Sequence, residues 1–271
     1  MRLDKVLLVF HKDWLEVKRN WEIMTPIVIV PLIFSIALPA LILVIPGNMS
    51  NTSTQGMGAL LANIPENVRS ELVGLNEGQT IIYLILVYVF APVFLIIPAM
   101  ASSVIASDSF AGEKERKTIE GLLATPLSDE ELMLGKMMVA FVPSMIVTLL
   151  SFTAYTVLVD ALSFGTFGRL ILPTLNWILV IFLLAPAIAV TGIALTVIVS
   201  ARVKGFREAQ QLSVLIILPI MMLVIGQVFG VLLLVPAIIL MLFAVFVVID
   251  IVILKLGFRL FGREEILSRI H

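Results

Sequence analysis

From Leu212 to Leu254 the chain runs for 43 residues in which only Gln227 and Asp250 strongly interrupt an apolar sequence. A helix crossing the roughly 30 Å hydrocarbon layer needs about 20 apolar residues, because it rises about 1.5 Å per residue and satisfies its own backbone hydrogen bonds. The run is therefore two crossings, with a turn required near Gly226 to Pro236. Four further stretches have the same character: Ile23 to Ile45, Ile81 to Ser107, Met137 to Val159 and Leu175 to Ser200. The last two crossings fall at Leu212 to Leu234 and Pro236 to Leu256. With 60% hydrophobic and 14% charged residues, the chain departs from a soluble domain, which carries about 45–50% apolar and about 25% charged residues. The expected fold is an all-α integral membrane protein with six transmembrane helices.

The same composition removes several function classes. Eighteen Lys plus Arg stand against nineteen Asp plus Glu, so no basic excess exists to hold nucleic acid. The chain has no cysteine, which excludes disulfides, thiol catalysis and cysteine metal sites. Its two histidines, His11 and His271, lie outside the spans, so neither a histidine metal centre nor a Ser/His/Asp arrangement is expected in the bilayer. Glu264-Glu265-Ile-Leu-Ser-Arg269 matches the E-E-x-x-x-R pattern of prenyl-protein proteases, but it sits on a charged tail with no intramembrane histidine to accompany it. Gly135-Lys136 is the nearest approach to a phosphate loop, yet Glu130 and Met137 stand where glycine and Ser/Thr would be needed. No cofactor is expected on this chain, and energy must come from a partner or an ion gradient.

Positive residues are retained on the cytoplasmic side of a membrane, and their distribution here is lopsided. Sixteen Lys and Arg lie in the lead, the second and fourth loops and the tail, whereas Arg69 and Arg169 alone lie on the opposite side. Both termini are expected in the cytoplasm, with the chain in the cell membrane. The lead, residues 1–22, is read as an amphipathic interfacial helix on the stripe Leu3, Val6, Leu7, Phe10, Trp14, Val17 and Trp21. A first apolar run that follows such a charged lead is no cleavable signal peptide. Residues 23–256 are the six-span domain, with an outer loop at 46–80 and a cytoplasmic loop at 108–136, and residues 257–271 are a cytoplasmic tail. Asn48 and Asn51 match the glycosylation pattern, and Pro65 to Leu75 suits a short helix over the outer mouth.

The second loop is the most informative segment. Glu113 to Ala124 favours a helix with Ile119, Leu122 and Leu123 on one face and Glu113, Glu115, Arg116, Lys117 and Glu120 around the rest. Thr125-Pro126 ends it, since the residue before proline is pushed out of the helical region. Ser128 with Glu131 then forms a capping-box pattern that opens the third span. In the fourth loop, Lys204 and Arg207 are accounted for as topology signals, but Glu208 and Gln211 are not, and they suit a contact at the start of the fifth span.

Gly112-Glu-Lys-Glu-Arg-Lys-Thr-Ile-Glu-Gly-Leu-Leu-Ala-Thr-Pro126 resembles the charged segment E-x-E-x-x-T-x-E-x-L-L-x-T-P of ABC type-2 exporter permeases, supported by Arg207-Glu-Ala-Gln-Gln211 and the six-span plan. The resemblance implies a permease subunit whose residues Glu113 to Ala124 form a coupling helix seated on a separate cytoplasmic ATPase. ATP and Mg would bind that partner. It also implies a second permease copy alongside, as homodimer or paralogue. The outer loop is short beside the larger sodium- and drug-export members, so their substrates do not carry over. The competing reading is a secondary transporter or an ATP-independent scaffold, for which Asp250 is the intramembrane ionisable candidate. Asp250 lies near Lys255 and is expected to be structural with a basic partner.

Overall fold

The computed structural model describes residues 2–44, 66–118, 127–203, 205–229 and 233–260. Among them, six helices are long and apolar enough to cross a membrane: α2 (Trp21–Val44), α4 (Glu77–Glu115), α5 (Asp129–Phe167), α6 (Leu175–Ser200), α7 (Phe206–Val228) and α8, whose apolar part is Pro236–Gly257. α1 (Leu3–Arg19) precedes them, and α3 (Glu66–Arg69) precedes α4. The spans expected from sequence are all present, but α4 and α5 extend well beyond their apolar stretches. At 39 residues each they reach about 58 Å, nearly twice the hydrocarbon thickness.

Both extensions have local causes. At the start of α4, Asn76 accepts from the Gln79 N–H while the Gln79 side chain accepts from the Asn76 N–H, a reciprocal cap that begins the helix before its apolar stretch. α5 starts on the anticipated box: the Ser128 hydroxyl accepts from the Glu131 N–H, and the Glu131 carboxylate accepts from the Ser128 N–H. It ends where Gly168 takes a left-handed φ of 65°. At the other end of α4, the polar run from Asp108 marks no helix end, because a π turn at Asp108–Gly112 carries the helix through to Glu115.

α4 and α6 form the centre and pack on each other along much of their length, with α5 against α4 and α8 against α6. Their core is an aromatic cluster in which Tyr155 and Trp177 stack at 4.9 Å, Phe90 stacks on Tyr155, and Phe94 meets Trp177 edge-on. α7 and α8 lie at the periphery with long apolar faces exposed, including Met222, Phe229, Leu240 and Met241. The helix that was expected across Pro65 to Leu75 is a short pair of turns, α3 followed by a 3₁₀ turn at Ser70–Leu72. Glu71 fixes it to α4 by accepting from the hydroxyls of Tyr83 (2.9 Å) and Tyr88 (3.1 Å).

α1 does not present its apolar residues as one stripe. Val6, Val9, Asp13 and Val17 turn inward, against α5 and its neighbours, whereas Leu3, Leu7 and Leu8 face outward. Contact with α5 is close enough to require glycine: a Cβ at Gly135 would lie 2.7 Å from the Val9 Cβ. The N-glycosylation matches at Asn48 and Asn51 and the tail beyond Leu260 lie outside the described residues.

Candidate functional site

Where α1, the end of α4 and the start of α5 meet, four charged side chains form a cluster in which Asp13, Glu113 and Lys136 are buried and Lys12 is partly exposed. Lys136 lies two turns into α5 and is fully buried. Its ammonium donates to Glu113 Oε2 at 2.5 Å, to the Ser109 carbonyl at 2.6 Å and to Asp13 Oδ2 at 3.3 Å. All three of its protons therefore have acceptors, two on α4 and one on α1. Glu113, also buried, takes Lys12 on its other oxygen at 2.6 Å. Asp13 accepts from the Ser109 hydroxyl at 2.8 Å, and Lys12 lies 3.1 Å from its second oxygen.

The cluster balances two ammonium groups against two carboxylates. Burial works against the charge on Asp13, but Lys136 and Lys12 beside it, with the Ser109 hydroxyl, hold its carboxyl below the ordinary range. Burial likewise opposes the charge on Lys12, and its hydrogen bond to Glu113 and the charges of Asp13 and Glu113 hold its ammonium above the ordinary value. Asp13, Glu16 and Glu113 bring carboxylate oxygens within 4.8 Å of one another, a spacing that a cation would accept. Here the lysines supply the positive charge.

The charged segment leaves the membrane helix from this lock. The chain turns at Arg116 and Lys117, with Lys117 at a φ of 56° and the Thr118 N–H bonded to the Glu113 carbonyl at 3.0 Å. Arg116 folds back on Asp108 at 2.8 Å. Glu115 reaches across to α7, where its carboxylate accepts from the Phe206 N–H at 2.9 Å. Gly205 before α7 offers no side chain as a cap, and a Cβ there would lie 2.5 Å from that carboxylate. The acid thus caps the helix from another loop. Lys114 donates to the Val203 carbonyl at 3.0 Å, so the second and fourth loops are joined.

Of the helix expected from Glu113 to Ala124, residues 113–118 are described: Glu113–Glu115 form the last turn of α4, the chain turns at Arg116 and Lys117, and Glu113 is committed to the lock instead of facing outward. Glu115, Arg116 and Lys117 are exposed, as are Arg207, Glu208 and Gln211 near the start of α7, where Arg207 lies 3.4 Å from Glu22. Ile119, Glu120, Leu122, Leu123, Pro126 and Lys204 lie outside the described residues. The two intramembrane polar residues are buried at other sites. Among the described residues Asp250 takes no basic partner: it accepts from the Thr191 hydroxyl of α6 at 2.5 Å, while Lys255, on the same helix, is exposed. Gln227 bonds backbone groups at the opposite end of the bundle.

Sequence reasoning missed Lys12, Asp13, Ser109 and Lys136 as members of one site. Two signals pointed to them. Asp13 falls on the three- and four-residue spacing of Val6, Val9 and Val17, the inward face, and Lys136 borders an apolar span, where an ionisable residue needs a partner.

Comparison with curated proteins returns no match. The family described as "ABC-2 family transporter protein" matches residues 7–253, which takes in most of α1, the lock, both joined loops and nearly all of the six membrane-spanning helices. A match of that extent places this multi-pass membrane protein in the ABC-2 transporter family, as a membrane permease.

Proposed function

We propose that the chain is the membrane subunit of an ATP-driven exporter, in which the segment from Glu113 to Pro126 docks on a separate cytoplasmic ATPase. The lysine and arginine distribution supports a cytoplasmic position for both termini, α1 and the lock, in the cell membrane. α1 then lies at the inner interface as part of the lead 1–22, and the loop 46–80 lies outside. ATP and Mg belong to the partner, because no phosphate loop is present in this sequence. A second permease copy, identical or related, completes the pathway beside the exposed apolar faces.

The observation that carries this reading is the junction of the second and fourth loops through Glu115 to Phe206 and Lys114 to Val203. It makes one surface of the two segments that the resemblance singles out, with Lys117, Arg207, Glu208 and Gln211 exposed on it. The lock behind that surface ties it to α1, α4 and α5, so a force applied to the segment reaches three helices.

The test is purification of the tagged chain from its native membrane in mild detergent, followed by an ATP hydrolysis assay. The expected result is a stoichiometric soluble partner with a phosphate loop, retained by the wild type and lost in Lys117→Glu, which reverses an exposed charge outside the lock. Undiminished recovery of the partner with Lys117→Glu would remove the docking role of this segment. A wild-type chain recovered alone, with no ATPase stimulated, would return attention to an ion-coupled transporter and Asp250.

A further inference from the structure

At the end of the bundle opposite α1, α4 widens in a π turn at Ile85–Val89, closely followed by Pro92 and by an interruption at Leu95. Proline carries no N–H, so position 92 gives no donor to the carbonyl of Tyr88 in an α ladder or of Val87 in a π ladder. Three consecutive carbonyls here are met by side chains from three other helices. Tyr155 of α5 donates to Leu86 at 2.7 Å, and Trp177 of α6 donates to Val87 at 2.8 Å. Gln227 of α7, with its amide turned so that both ends are satisfied, donates to Tyr88 at 2.8 Å and accepts from the Leu234 N–H at 3.1 Å.

The three donors are not equivalent. Tyr155 and Trp177 are fixed in the stacked aromatic core. Gln227 is fully buried but belongs to the peripheral helix α7, and its second bond reaches Leu234, just before α8. One amide therefore ties the end of α7 and the approach to α8 to the break in α4.

We propose that Gln227 is a positioning residue of the transport cycle: a two-ended latch that keeps the end of α7 and the approach to α8 at Leu234 seated on the broken part of α4, and so holds this end of the bundle closed. Both of its partners are backbone groups, which persist whatever the side chains nearby, and a helix break of this kind is where α4 can bend. Unlatching exchanges two hydrogen bonds and lifts Leu233 and Leu234 from the edge of the core, whereas moving Tyr155 or Trp177 would unpack its stacked centre. The proposal rests on the family membership and not on ATPase docking.

The absence of cysteine makes the test direct. Two reporter variants are made, Leu234→Cys beside the latch and Ala106→Cys in the buried part of α4 toward α1; both positions are buried in this structure. Maleimide labelling rates are measured in open membrane fragments without nucleotide or partner, so the outcome is independent of the ATPase reading. Adding Gln227→Leu is expected to speed labelling at the Leu234→Cys site about tenfold, within reach of two lost hydrogen bonds, and to leave the Ala106→Cys rate unchanged. Gln227→Met, which keeps the length of the side chain but neither donates nor accepts, is expected to act in the same direction. No acceleration at Leu234→Cys, or equal acceleration at both sites, overturns the latch.

Discussion

Replacing Lys136 by methionine tests whether the lock is an energetic unit. Methionine fills much of the same volume, so the change removes one buried charge and three donated hydrogen bonds with little change in packing. Asp13 and Glu113 are then left sharing Lys12 alone, and the Ser109 carbonyl loses its ammonium partner. Breaking a buried ion pair from one side costs about 3–5 kcal/mol, because a carboxylate stays desolvated without its counter-charge. At about 2–4 °C per kcal/mol for a chain of this size, the melting temperature in detergent should fall on the order of 10 °C. The double variant Lys136→Met/Glu113→Gln restores charge balance, with Lys12 facing Asp13, and should regain at least half of that loss.

Differential scanning fluorimetry on the wild type, both single variants and the double variant closes the thermodynamic cycle, and the coupling energy between positions 113 and 136 should exceed about 1 kcal/mol. Strict additivity would refute the reasoning, since the two residues would then stabilise the protein independently. So would a melting temperature for Lys136→Met within about 2 °C of the wild type.

Three further outcomes follow from the same geometry. Glu115→Lys removes the cap on α7 and puts a cation at a helix N-terminus, so a stability loss of about 1–2 kcal/mol should show as earlier thermal unfolding. Asp250→Asn keeps an oxygen that accepts from Thr191, so its melting temperature should stay close to the wild type, while Asp250→Leu, which leaves no acceptor, should melt earlier. Because the Asp13 carboxyl is held below its ordinary value, its contribution is fully present above that value and is lost as pH falls through the lowered one; the Lys12 contribution, from a raised value, is lost only at strongly alkaline pH. The stability gap between wild type and Asp13→Asn should therefore be flat from roughly pH 5 to 9, and a gap that closes between pH 8 and 6 would contradict the assignment.

The bundle was legible in the sequence because length and hydropathy decide a membrane span almost alone. Boundaries were less so. Asp108 and Glu113 read as the end of a span because isolated charges are expelled from hydrocarbon. Here each has a partner: Arg116, 8 residues on, for Asp108, and Lys12 and Lys136, 101 and 23 residues away, for Glu113. Periodicity within one segment cannot reveal a counter-ion 101 residues away. Asp250 illustrates the same limit. A lysine five residues on is the natural partner in sequence, but on a helix a fifth-residue neighbour points to a different face, and Thr191 on α6 occupies the face that Asp250 sees.

α4 shows why these long-range contacts gather where they do. Its backbone widens twice, at Ile85–Val89 and at Asp108–Gly112, and in both places carbonyls turn outward to side chains of other helices. At the first, Tyr155, Trp177 and Gln227 take Leu86, Val87 and Tyr88; at the second, Lys136 takes Ser109. A regular α-helix would keep those carbonyls in its own ladder and offer its neighbours only side chains. The two sites are separated by about 35 Å of helix at 1.5 Å per residue. Pinned at both levels by backbone atoms, α4 can tilt or bend between them, but it cannot rotate about its own axis without breaking bonds at both ends. Motion delivered to the lock must therefore reach the far end as tilt or as bending at the Pro92 break, the one place along α4 where the latch residue Gln227 also bears on the backbone.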